Sequence, residues 1–241
     1  MELTIIEILN FIFSIVGLII AVFIGLKAIS KYFEYGRREY LLIGLVFILL
    51  TEPWWPSIIL FFFLIITGTY INLEIILLLG NMFLPFTTLL WLIAFNNLLD
   101  YKRKKEIYII FIIYGLFFEI FLFYFLLTNP SMIGEISGNV DVNYGIFVSI
   151  YHLTILIVAI VTSSIFAKVC LNSDNPETNL KGKLILLALC LFVVGSILDM
   201  LSANSIIILT LARIILILAS IALYGGFILP NWMRKILLKN N

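Results

Sequence analysis

Residues 206–229 read IIILTLARIILILASIALYGGFIL, a run whose single charge is Arg213. About 20 apolar residues in a helix suffice to cross the ~30 Å hydrocarbon core of a bilayer. The run is therefore predicted to be a transmembrane helix with one guanidinium inside it. The same reading applies elsewhere in the chain. Spans are expected at about 4–29, 40–66, 72–98, 106–127, 144–169, 183–201 and 206–229. They form one all-α integral membrane domain, a seven-transmembrane-helix bundle over residues 1–241, located as a multi-pass protein of the cell membrane. The composition agrees: 63% of the 241 residues are hydrophobic and the mean hydropathy is +1.18, well above a soluble domain.

Orientation follows from the basic residues. Lys27, Lys31, Arg37, Arg38, Lys102, Arg103, Lys104, Lys105, Lys168, Lys181, Lys183, Arg234, Lys235 and Lys239 all fall on one face when the spans alternate. Lys and Arg near span ends hold those ends in the cytoplasm, so the N-terminus is expected outside and the C-terminus inside. The run Asp100–Lys105 reads as such an anchor. Tyr32, Tyr35, Tyr40, Tyr101, Tyr108 and Trp232 would then form the inner aromatic belt, with Tyr70 and Tyr144 in the outer one. Ser173-Asp174-Asn175-Pro176 is a cap-then-proline helix start, by which helix 6 is expected to begin well before the bilayer. Residues 202–205 read as a tight turn, and 128–143 as a long acidic outer loop. The acidic start at Glu2, with no basic region ahead of the first span, is not that of a cleavable leader. Cys170 and Cys190 fall near the cytoplasmic half, where thiols stay reduced.

Arg213 is costly in hydrocarbon and is a functional-site hypothesis by default. Counting ~1.5 Å per residue from the outer boundaries puts Arg213, His152, Glu119 and Asn81 all ~12–14 Å deep. Asp199 lies above that layer, and Glu52 below it near the midplane. Charges so placed must pair or face water. Two arrangements satisfy that: a polar network in which Arg213 pairs with Asp199 or Glu119, or a ligand pocket lined by these residues. Glu7 and Glu74, near the outer interface, read as solvated.

The segment Thr51-Glu52-Pro53-Trp54-Trp55-Pro56 adds a second signal. Pro53 and Pro56 cannot both fit a regular helix interior, so helix 2 is expected to kink there. A kink presenting Glu52 and Trp54 to the bundle would suit a cationic or aromatic ligand.

Several classes are excluded. A single histidine cannot supply bis-His haem ligation or a three-His zinc site. No Gly-x-Ser-x-Gly or His-Glu-x-x-His pattern occurs, and helix 7 has no interior lysine for a retinal Schiff base. No catalytic residue, metal or cofactor is assigned, and no nucleic-acid partner is implied, because topology accounts for the basic residues.

Gly195-Ser196-Ile197-Leu198-Asp199, Leu211-Ala212-Arg213 and Tyr224-Gly225-Gly226-Phe227-Ile228-Leu229-Pro230 resemble the end of the seven-helix membrane sensor regions of prokaryotic histidine kinases. The resemblance covers about the last sixty residues. It implies a sensor whose output comes from a separate cytoplasmic signalling partner. The leading expectation is thus a receptor or sensor-like protein with an outward-open pocket for a small molecule. A small proton-coupled transporter using Glu52 or Glu119 is the alternative, and a structural membrane subunit a third; the lipid bilayer is the partner in all three.

Overall fold

A computed structural model describes residues 3–99, 102–201 and 205–238, the side chain of Met200 excepted. Glu2, Asp100, Tyr101, residues 202–204 and Lys239, all used in the sequence reading, lie outside the described residues. The helices are α1 (Ile5–Tyr35), α2 (Arg38–Leu49), α3 (Trp55–Thr67), α4 (Leu73–Leu79), α5 (Leu84–Leu99), α6 (Lys104–Thr128), α7 (Ile146–Leu171), α8 (Pro176–Met200), α9 (Ile206–Ile228) and α10 (Asn231–Leu237). Strands β1 (Gly134–Ser137) and β2 (Asp141–Tyr144) separate α6 from α7. Taking α2–α3 and α4–α5 each as one span, seven helical segments are long and apolar enough to cross a membrane. That is the pattern of a multi-pass membrane protein. Many spans also leave large apolar side chains uncovered by the chain, such as Ile109, Ile113, Leu116, Ile120 and Leu127 along α6. A helix that is apolar on its outward face needs an apolar solvent there.

Span ends follow local chemistry. α1 continues past the expected boundary at 29 to Tyr35, because the first residue able to stop it is Gly36, left-handed at φ 67°. Gly68 ends α3 in the same way, a conformation that costs glycine little. α8 begins at Pro176, well before 183. Asn175 Oδ1 accepts from the backbone N–H groups of Glu177 and Thr178, and proline at the first turn gives up no helical bond.

The chain forms two compact units, Met1–Ile157 and Val158–Asn241. In the first, α1 crosses α2 where two glycines meet. A Cβ on Gly25 would lie 2.6 Å from the Gly44 carbonyl oxygen, and one on Gly44 would lie 2.6 Å from that of Gly25. Small residues at such a crossing let backbones approach closely. Phe11 stacks on Phe61 with ring centroids 3.7 Å apart. Against α6, Phe118 stacks on Phe147 and Tyr151.

Residues 128–143 are not a free outer loop. They contain an antiparallel hairpin with Gly134 opposite Tyr144 and Ser137 opposite Asp141. A lone two-stranded hairpin is marginal in water. This one is anchored by Ile133 and Val140, both buried in the cores of the unit. Its polar ties are equally specific. Asn10 and Ser57 donate to the two oxygens of Asp141, and Asn139 donates through backbone and side chain to Glu7. Glu7 is therefore buried and also closes a capping box with Thr4, in contrast to its expected solvation. Glu74 is exposed.

In the second unit α8 and α9 pack through small residues. A Cβ on Gly226 would run into the Ile185 side chain, and one on Gly195 would meet Leu216 at 2.8 Å. After Pro230 the chain turns into α10, whose Met233 packs with Leu184 and Leu229.

Candidate functional site

Two consecutive spans are broken, and the breaks are joined. The first lies between α2 and α3, where a 3-10 turn at Glu52–Trp54 replaces the helix. Pro53 has no N–H to continue α2, and Pro56 opens the first turn of α3, a position proline tolerates. The Thr51 hydroxyl donates to the Ile48 carbonyl and accepts from Trp55 Nε1 at 3.0 Å. The kink expected at this segment is a 3-10 turn between two helices, its flanking residues staying in the right-handed helical region.

The second break, between α4 and α5, was not expected, since 72–98 was read as one helix. Its signals were Gly80 and Pro85. Pro85 cannot donate to the preceding turn, and Gly80, in an ordinary helical conformation, leaves room for Pro56 and the Tyr144 hydroxyl. The groups freed there find side-chain partners. Asn81 Nδ2 donates to the Leu77 carbonyl at 2.7 Å, and the Phe83 N–H donates to Glu52 Oε1 at 2.7 Å. Irregular backbone at membrane depth survives only where such partners exist.

Glu52 and Asn81 are both 0% exposed. Each spends one polar atom on a break and keeps the other in reserve. Glu52 Oε2 and Asn81 Oδ1 are buried without a hydrogen-bond partner among the described residues. His152 Nε2 has the same status, its ring edge-on to Tyr144 with centroids 5.3 Å apart. Buried orphans of this kind call for an explanation.

Tyr144, expected in the outer belt, turns inward from the end of β2. Its hydroxyl donates to the Pro53 carbonyl at 3.2 Å and lies 2.7 Å from where a Cβ on Gly80 would sit. Burial raises the Tyr144 phenol above its ordinary range, and the neighbouring Asp141 and Glu52 carboxyls act in the same direction. The phenol therefore stays a donor. Glu119, half-buried on α6, is within electrostatic reach of Glu52. Glu52, Asn81, Tyr144 and His152 thus gather around one junction, Glu119 nearby. Trp54 packs over α1 instead, its ring 3.3 Å from a Cβ placed on Gly17. Among the described residues no group of three His, Cys, Asp or Glu could hold a metal ion.

Arg213 and Asp199 belong to the second unit. Arg213 is 8% exposed, and its Nε lies 3.3 Å from Asp199 Oδ1. The pair links the end of α8 to α9. A groove of about 710 Å³ lies between the start of α8 and α10, lined by Asn175, Glu177, Arg234 and Lys235 among others. Glu177 pairs with Arg234 across it. No polar residue singled out from the sequence as intramembrane lines this groove.

Compared with known protein families and with characterised proteins, the chain matches none.

Proposed function

We propose that the protein is a small ion-coupled membrane transporter in which Glu52 is the coupling carboxylate. One observation carries this reading: two adjacent spans are interrupted, and a fully buried carboxylate bridges the interruptions. Discontinuous helices place backbone ends and polar side chains at the membrane interior, where transporters bind ions and substrates. A receptor does not require its spans to be broken. In this reading the N-terminus and the hairpin face outside and the basic segments face the cytoplasm. The hairpin, tied to α1 through Glu7 and Asn10 and to the break through Tyr144, covers the outer side of the Glu52 junction. Movement of the short segments around Pro53 and Gly80 would change access to it.

The test is flux. Purified protein in proteoliposomes is offered a panel of labelled amino acids, sugars, nucleosides and amines under inward proton or sodium gradients. Gradient-driven accumulation above empty liposomes is expected for one class, with a loss of at least tenfold in Glu52→Gln. Binding of a solute without accumulation under either gradient would sink the transporter reading and favour a sensor working through a cytoplasmic partner.

A further inference from the structure

We propose that the junction of the two broken spans is a binding site for a small monovalent cation, held jointly by Glu52 Oε2 and Asn81 Oδ1. This rests on the Glu52-centred reading and names the ion that the site takes.

The argument begins with what each side chain has already committed. Glu52 Oε1 accepts from the Phe83 N–H, so its orientation is set by the second break. Asn81 precedes Phe83 by two positions on that break. Its amide donates to the Leu77 carbonyl, which settles which end of the amide is nitrogen, because a carbonyl cannot accept from an oxygen. The atom left over is therefore an acceptor. Glu52 Oε2 is an acceptor too when the carboxyl is ionised. Two fully buried oxygens, one of them on an acid, thus lie at the two joined helix breaks without donors among the described residues. A buried acceptor left unmade costs free energy, and a carboxylate costs more. A cation bound between them removes both costs.

Space limits its size. A Cβ on Gly80 would already collide with Pro56 Cγ at 2.6 Å and the Tyr144 hydroxyl at 2.7 Å. The close packing around Gly80 favours a small ion or a proton over an organic amine. Among the described residues, no group of three acidic, His or Cys ligands surrounds the junction. Oxygen ligands favour hard cations, and one carboxylate with one amide oxygen matches a single positive charge. Na⁺ and a proton share this chemistry. The titratable groups near Glu52 are Glu119 and Tyr144, with His152 against Tyr144.

The experiment uses the full chain in detergent, in choline chloride at constant ionic strength. Melting temperature is followed as choline is replaced by Na⁺ or K⁺, and, separately, as pH is varied in choline alone. If the cation is Na⁺, a saturable rise of about 2–4 °C or more is expected, absent with K⁺. If it is a proton, the Na⁺ response is absent, and infrared difference spectra show a protonated carboxyl that titrates and disappears in Glu52→Gln. The Na⁺ response must be lost in both Glu52→Gln and Asn81→Ala; the carboxyl band must disappear in Glu52→Gln and shift in Asn81→Ala. Glu52→Gln keeps an oxygen for the Phe83 N–H. Should Asn81→Ala fail to fold, Asn81→Ser retains a hydroxyl donor for Leu77. A response that is unchanged in these variants, or no response to either cation in the wild type, overturns the site. Gradient-driven flux without either response would leave the transporter reading standing and remove only this site. A response without flux would do the reverse.

Discussion

The backbone N–H of Phe83 donates to Glu52 Oε1 at 2.7 Å, so the break in one span is completed by a side chain from the break in the one before it. Neither interruption is self-sufficient. A donor freed inside a membrane costs several kcal/mol if unmet, and the acid at position 52 meets it.

Removing that acceptor should therefore separate two substitutions of similar size. Glu52→Gln retains an oxygen for Phe83, whereas Glu52→Leu does not and strands a buried N–H at ~1–3 kcal/mol. Melting in detergent is expected to place Glu52→Leu clearly below Glu52→Gln. A Leu variant more stable than wild type would mean that the bond contributes nothing.

Arg213 and Asp199 should couple in a double-mutant cycle. Each alanine variant removes one charge of the pair, and the double variant should lose less than the sum, by ~0.5–3 kcal/mol. Asp199 is about a quarter exposed, which pulls the expectation toward the lower half of that range. Additive losses in chemical or thermal denaturation would show that the two do not interact.

The α1–α2 crossing should resist any enlargement. Gly25→Ala or Gly44→Ala drives a methyl against opposing backbone at 2.6 Å and is expected to cost ~1–3 kcal/mol. Gly17→Ala meets only the Trp54 ring, at 3.3 Å, and should cost less because a side chain can yield where a backbone cannot. Equal losses in melting temperature for Gly17→Ala and Gly25→Ala would contradict the close approach.

Asp141 holds the hairpin through Asn10 and Ser57. In Asp141→Ala both donors lose a charged acceptor, worth ~1.5–3 kcal/mol each. Cleavage by a glutamate-specific protease at Glu135, which is exposed, should speed up at least tenfold. An unchanged cleavage rate would mean that Ile133 and Val140 hold the hairpin by themselves.

Orientation is checked by cysteine labelling in a background lacking Cys170 and Cys190. With an impermeant reagent on sealed cells, Glu135→Cys is expected to label and Lys105→Cys to label only after lysis. The opposite pattern would invert the proposed topology.

Seven apolar segments and most of their ends were legible in the linear order of residues, because those features are local. Bilayer thickness sets the length of an apolar run. The α8 start at Asn175-Pro176 could be read directly, since a cap and its proline are neighbours in the chain. The partner of Arg213 was legible in part: depth along the spans offered Asp199 or Glu119, and Asp199 Oδ1 lies 3.3 Å from Arg213 Nε. The junction of the broken spans was different. Pro53 and Pro56 announced the first break, but Gly80 and Pro85 sit inside an otherwise continuous apolar run. Only the bond from Phe83 to Glu52, between residues far apart in the chain, makes an interruption there affordable. Tyr144 and Glu7 were misplaced at solvated boundaries because nothing in their neighbours shows that the segment after α6 folds back as a hairpin onto α1 and Pro53. Hydropathy reports how deep a residue can go. Which polar atom meets which depends on distant segments coming together, and that was decided by tertiary packing alone.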